Sequence, residues 1–119
     1  MCDIIKFTKI FILFIFIDFL WIYFYMADKY KTMVFNIQKS PLNIKIIPVI
    51  LTYVAMTLLL MLFPDIDNMK AFGLGFLSYA IFDLTNLTIF DDFDKKTAIY
   101  DILWGGALFL SVNHISNSI

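Results

Sequence analysis

Three aspartates stand inside strongly apolar stretches of this 119-residue chain: Asp18, Asp83 and Asp101. A carboxyl group at the centre of an isolated membrane helix costs about 2.5 to 3.5 kcal/mol on insertion scales, whereas a good apolar residue returns only about 0.3 to 0.6 kcal/mol. Intramembrane carboxyl groups typically carry protons, bind ions or join helices to one another. We therefore expect these three side chains to face other helices or water, and not lipid.

The spacing of neighbouring polar and aromatic residues supports this expectation. Tyr79, Asp83 and Asn86 are separated by four and three residues, which places them on one stripe of a helix. The phrases "DFLW" and "DILW" repeat a three-residue offset between aspartate and tryptophan, and either an inverted repeat or chance recurrence explains them. The sequence predicts one polar cluster, a candidate ligand-binding site, made of Asp18, Trp21, Tyr79, Asp83, Asn86, Asp101 and Trp104.

The chemistry available to such a cluster is limited by the residues that are missing from it. No lysine, arginine or histidine lies deep in the apolar stretches, so the carboxyl groups have no fixed cation as a partner. We expect them to be protonated and hydrogen-bonded to Asn86, Tyr79, Tyr53 or indole N–H groups, or to face water or a bound cation. No nucleophile with a base, no histidine pair and no metal-ligand set accompanies them, so the sequence predicts no catalytic residue, metal or cofactor.

The elements that position these residues are long apolar blocks. Hydrophobic residues make up 61% of the chain and aromatic residues 18%, and the mean hydropathy is +0.84. A helix needs roughly 20 residues to cross about 30 Å of hydrocarbon, and four blocks come close, at about 10–27, 46–63, 71–90 and 97–115. Four strands cannot close a membrane barrel, whereas helices satisfy their own backbone groups. The sequence predicts an all-α integral membrane four-helix bundle, with residues 1–119 as a single transmembrane domain.

Two segments allow more than one interpretation. The first block is long for the apolar part of a signal peptide and lacks a good cleavage site, so we expect a retained helix. The 18 residues between the first two blocks contain Val34, Phe35 and Ile37, which fit either a short helix at the membrane interface or a solvated loop. Either interpretation of this connection leaves four membrane helices.

All four glycines fall in the third and fourth blocks: Gly73, Gly75, Gly105 and Gly106. Small residues let two membrane helices approach closely. We expect these glycines to mark a tightly packed helix pair.

Charge distribution bears on partners and orientation. The net charge is −1 and no basic patch is present, which argues against nucleic-acid binding. All nine basic residues are lysines, and six of them lie in the first and third connections, against three at the other side: Lys29, Lys31, Lys39, Lys45, Lys95 and Lys96, against Lys6, Lys9 and Lys70. The positive-inside rule then predicts both termini on the non-cytoplasmic side. The expected partner is the lipid bilayer, together with an unidentified small-molecule ligand or a second copy of the chain.

The motifs resemble those of the membrane-protein family catalogued as domain of unknown function 2177. The matching phrases are Tyr79 followed by "DLTN" at 83–86, Asp101-x-x-Trp104-Gly105 in the last block and Asp18-x-x-Trp21 in the first. The chain departs from the family pattern after the third block, where Phe93 and Asp94 replace a tryptophan and a proline. The resemblance implies a four-helix membrane fold built around this polar cluster and no particular activity.

Three functions fit the sequence. The first is a multi-pass membrane protein whose polar cluster organises the bundle and binds a lipid, an ion or a partner. The second is a small proton- or cation-coupled transporter. The third is a lipid-modifying membrane enzyme with two carboxyl groups acting as acid and base, which the missing nucleophile and metal ligands make the weakest.

Overall fold

The computed structural model describes residues 2–41 and 43–119 and is almost entirely helical. The elements are α1 (Cys2–Trp21), a π-helical segment (Ile22–Met26), α2 (Ala27–Gln38), α3 (Ile46–Met61), α4 (Asn68–Ile89) and α5 (Lys95–Ser118). Since α1, the π-helical segment and α2 follow one another without a break, the described residues form four helical rods and contain no strand. The prediction of an all-α four-helix architecture is confirmed.

The helices pack around α5. Helix α4 lies antiparallel along α5 and makes the most extensive contact, while α1 packs against both α5 and α3. The rings of Phe14 in α1 and Phe109 in α5 meet edge to face with centroids 4.8 Å apart. The buried core contains Ile10, Phe14, Leu60, Ala71, Leu108, Phe109 and Val112. The resulting order of neighbours is α3, α1, α5, α4.

This central position explains why α5 is less apolar than α1, α3 and α4. Two helical stretches of the described chain are long and apolar enough to cross a membrane, Asp3–Gln38 and Asn68–Ile89, and Ile46–Met61 is apolar but shorter. Helix α5 instead buries polar residues, among them Thr97, Asp101 and Asn113. A helix surrounded by other helices exposes little surface to lipid, so it needs fewer apolar residues.

Aspartates fix the starts of α4 and α5. The Asp67 carboxylate accepts a hydrogen bond from the Lys70 backbone N–H at 2.8 Å. The Asp94 carboxylate accepts one from the Thr97 backbone N–H at 3.1 Å and another from the Thr97 hydroxyl at 2.5 Å. The hydrogen bonds from Thr97 hold the pKa of Asp94 below its ordinary value. These caps satisfy N–H groups that no helical carbonyl reaches.

The first rod is longer than the sequence predicts. We expected the first helix to end near Ala27, but the chain remains helical to Gln38, where Lys39 takes a left-handed conformation and ends it. Val34, Phe35 and Ile37 therefore belong to a helix and not to a solvated loop.

The π-helical segment explains how one rod buries residues along its full length. Four residues at the α2 end of the rod pack inward. In an uninterrupted α-helix, which turns by about 100° per residue, they would lie roughly 140–200° around the helix axis from Ile10 in α1. One extra residue in the π-turn returns them to roughly 40–100°, on the side that carries Ile10, Phe14 and Asp18. These α2-side residues are Met26, Tyr30, Met33 and Ile37, and all four are buried or partly buried. The π-turn is seen where the Ala27 N–H bonds to the Ile22 carbonyl, five residues back.

Three of the four glycines lie where helices approach closely. A Cβ at Gly75 would lie 2.6 Å from the Phe109 ring and nearer still to the Gly105 carbonyl oxygen, and Cβ atoms at Gly105 and Gly106 would overlap Tyr79 and Phe72. Gly73 differs, since no atom outside its own helix lies within 4 Å of its Cβ position. The structure therefore gives Gly73 no part in helix packing, contrary to expectation, because it faces away from α5.

We predict that Gly75→Ala destabilises the protein and Gly73→Ala does not. Alanine at position 75 forces α4 away from the α5 backbone, at a typical overpacking cost of about 1–3 kcal/mol. Alanine at position 73 meets open space and gains up to about 1 kcal/mol of helix propensity. Thermal unfolding of both variants in the same detergent measures the difference. Equal melting temperatures for the two variants would contradict the packing described for α4 and α5.

Candidate functional site

Asp18 joins three helices. Its side chain is 7% exposed. The Tyr53 hydroxyl of α3 donates to one carboxyl oxygen at 2.5 Å, and the Trp104 indole N–H of α5 donates to the other at 2.8 Å. Both oxygens are thus satisfied by donors from neighbouring helices, as a buried carboxyl group requires.

Trp21 and Trp104 form the centre of an aromatic stack. Their rings are parallel within 7°, with centroids 4.8 Å apart. Tyr25 packs on the other side of Trp21 at 4.5 Å, and Tyr100 meets Tyr25 edge to face at 6.0 Å. The indole N–H of Trp21 is buried and has no hydrogen-bond partner among the described residues. The stack leads from the Asp18 site towards the start of α2, where the Lys29 ammonium lies 4.5 Å from the Tyr25 ring centroid.

Asp83 and Asp101 form a carboxyl pair between α4 and α5. Asp83 is completely buried, and no donor group of the described residues reaches either of its oxygens. Its carboxyl group lies within hydrogen-bonding reach of the Asp101 carboxyl. Two adjacent carboxyl groups in a low-dielectric interior repel when both are ionised, so a shared proton is the arrangement that satisfies them. Asp101 also accepts a hydrogen bond from the Tyr30 hydroxyl of α2 at 3.5 Å.

A cavity of about 620 Å³ adjoins this cluster. Asp18, Asp101, Tyr30 and Tyr79 contribute polar groups to its wall, and Trp21 contributes its ring. The rest of the wall is mostly apolar, with residues from α3 facing residues from α4: Thr52, Ala55, Met56 and Leu59 opposite Ser78, Tyr79 and Phe82. Because Ala55 and Phe82 are also exposed on the surface, the cavity is an open cleft between α3 and α4. Its volume falls within the range of about 300–1,000 Å³ typical of ligand pockets.

A second hollow, of about 870 Å³, lies between α2 and the connection from α4 to α5. Its wall carries both signs of charge, including Asp28, Asp91 and Asp92 with Lys95 and Lys96, all of them exposed. Exposed mixed charges of this kind are solvated, and this hollow lacks the apolar wall of the cleft.

The structure brings together most, but not all, of the residues that the sequence singled out. Asp18, Trp21 and Trp104 are in mutual contact, Asp83 meets Asp101, and Tyr79 lines the cleft. Asn86 is partly exposed and does not line the cleft. It lies one turn beyond Asp83, where α4 approaches its end at Ile89.

Sequence reasoning missed Tyr30. The signal was present, since Met26, Tyr30, Met33 and Ile37 repeat at four, three and four residues, which is the spacing of a helix face. A helix there brings Tyr30 to Asp101.

The described residues contain no group of three or more histidine, cysteine, aspartate or glutamate side chains placed to hold a metal ion. Asp18 is engaged by Tyr53 and Trp104, and only Asp83 and Asp101 pair directly. The arrangement therefore supports hydrogen bonding and proton sharing.

We predict that Asp83→Asn lowers the stability of the protein only slightly, whereas Asp83→Leu lowers it strongly. The amide keeps the size of the carboxyl group and donates a hydrogen bond to Asp101, whereas leucine leaves the buried Asp101 carboxyl without this partner, at about 1–3 kcal/mol for an unsatisfied group. Melting temperatures in detergent measure both changes. Equal destabilisation by the two substitutions would mean that the carboxyl pair does not hold α4 to α5.

The family model DUF2177, described as a predicted membrane protein, matches residues 3–117. No curated protein and no solved structure matches the chain significantly.

Proposed function

The chain belongs to the DUF2177 family of predicted membrane proteins, and on that premise we propose that it binds a lipid-like molecule in the cleft between α3 and α4. The observation that carries this proposal is the cleft itself, an apolar groove that ends against the carboxyl and aromatic groups of the polar cluster. An acyl chain fits the apolar walls, and the polar cluster offers hydrogen-bond partners to a head group. The bundle acts as a binding protein of the membrane.

The proposal includes four membrane crossings, with both ends of the chain on the non-cytoplasmic side. Trp21 stacks on Trp104 and Phe14 meets Phe109, so α1 runs antiparallel to α5 and its start lies towards the end of α5. Asn113 of α5 donates hydrogen bonds at 3.0 Å to Asn68 and to the Ile66 carbonyl, which places the connection from α3 to α4 at the same end. The two ends of the chain therefore lie at one end of the bundle. The lysine distribution supports placing the opposite end, with α2, in the cytoplasm.

Cysteine labelling tests this topology. In a Cys2→Ser background, we expect cysteines at Met69 and Asp92, both exposed positions, to react with membrane-impermeant reagents from opposite sides. Labelling of both positions from the same side would rule out the proposed crossing by α4.

The chain's only two tryptophans, Trp21 and Trp104, offer a direct test of the cleft as a lipid site. We expect phosphatidylcholine with brominated acyl chains, titrated into the protein in detergent, to quench their fluorescence and to saturate. Ala55→Phe places a ring inside the cleft. It should raise the lipid concentration needed for half-maximal quenching by about tenfold.

Leu58→Phe is the matched control, since Leu58 lies on the same helix, is exposed and does not line the cleft. It should bind as the unmodified protein does. If both variants quench equally, or if quenching rises linearly without saturation, the cleft does not hold the lipid.

The carboxyl pair supports a second candidate function, proton-coupled transport. A proton shared by Asp83 and Asp101 lies behind a cleft that Asp101 lines. In liposomes, a proton flux that is present in the unmodified protein and lost in a stably folded Asp83→Asn variant would favour transport over binding alone.

A further inference from the structure

We propose that the head group bound in the cleft carries a positive charge, as in a protonated amine or a quaternary ammonium lipid. This inference rests on the proposed function and specifies the ligand class for the same cleft. The ligand is then a cationic amphiphile, with its charged head against Asp18 and Asp101 and its chain between α3 and α4.

The charge of the wall is the first reason. Asp18 and Asp101 both contribute to it, and Asp83 lies fully buried directly against Asp101 without a donor of its own. Among the described residues along the wall, Lys31 is the one basic side chain, and it is exposed. Three carboxyl groups thus share an interior in which a single proton can bridge Asp83 and Asp101. A cation in the cleft compensates the charge that remains.

The aromatic groups are the second reason. Tyr30 and Tyr79 line the cleft beside the two carboxyl groups, whereas the faces of Trp21, which also lines it, are covered by Trp104 and Tyr25. Aromatic faces attract cations through their quadrupole, and quaternary ammonium groups are commonly held by several such rings. The same rings do not attract an anionic head group in this way, because their faces are electron-rich.

Most donors in the cluster already serve other groups, which argues against an anionic head group. Tyr53 and Trp104 donate to Asp18, and Tyr30 donates to Asp101. The hydroxyls of Thr52 and Ser78 donate to carbonyls of their own helices. Among the described residues, the buried indole N–H of Trp21 and the hydroxyl of Tyr79 remain as donors without a partner, and the carboxyl groups of Asp18 and Asp101 beside them disfavour a phosphate or carboxylate.

Competition among three amphiphiles of equal chain length tests the proposal. Tetradecyltrimethylammonium, tetradecanol and tetradecanoate displace the brominated phospholipid, and recovery of tryptophan fluorescence reports displacement. We expect the cationic amphiphile to displace the brominated phospholipid at a mole fraction about tenfold or more below the mole fraction that the alcohol needs. The carboxylate should be the weakest competitor. Asp101→Asn and Asp18→Asn keep side-chain size, and at least one of them should reduce the preference to within about threefold.

The outcomes separate this inference from the proposed function. If the three amphiphiles displace the brominated lipid equally, or if the cationic preference survives both aspartate substitutions, the charge assignment is overturned while the cleft remains a lipid site. If the brominated lipid never saturates and none of the three restores fluorescence, the cleft is not a lipid site and both proposals fail. Far-ultraviolet circular dichroism of each variant confirms that helical content is unchanged.

Discussion

The two hydrogen bonds accepted by Asp18 are the interaction on which the arrangement of the bundle depends. Helix α3 packs mainly on α1, and the Tyr53 hydroxyl is its polar link to the other helices. Hydrocarbon contains no water to replace a lost hydrogen bond, so the donors from Tyr53 and Trp104 fix both the height and the rotation of α1 between α3 and α5. The position of α3 in turn sets the width of the cleft, since its residues form the wall opposite α4.

Two polar arrangements of different kinds therefore lie within one apolar bundle. Asp18 has a donor for each oxygen, whereas Asp83 has only another carboxyl group as its partner among the described residues. A half-satisfied polar group in a low-dielectric interior is destabilising unless a proton or a ligand completes it. Asp101 connects the two arrangements, because it touches Asp83, accepts from Tyr30 and faces the cleft. The cation proposed for the cleft and a proton shared by the two carboxyl groups would therefore influence one another.

The sequence predicted which residues turn inward, but not which of them meet. A lipid-facing aspartate is so costly that Asp18, Asp83 and Asp101 had to face the bundle, and helical spacing carried Trp21, Tyr79 and Trp104 to the same side. The pairing depends on the order of helices in space, which spacing along one helix does not contain. Trp104 lies on the same stripe of α5 as Asp101. It donates a hydrogen bond to Asp18, because α1 packs directly against α5. Asn86 has the correct spacing and still lies outside the cleft, because α4 ends soon after it.

The π-turn places a constraint on chain length in a segment that begins with three exposed residues. Ile22, Tyr23 and Phe24 are exposed, and their surroundings would accept many apolar side chains. The number of residues there is not free, because each residue added or removed rotates everything that follows by about 100° relative to α1. Loss of one residue would turn Met33 away from Phe93 and Tyr30 away from Asp101 while leaving the composition of the rod almost unchanged. Among relatives of this chain, substitutions should therefore be common at Tyr23 and Phe24, and single-residue insertions or deletions in the π-helical segment should be rare.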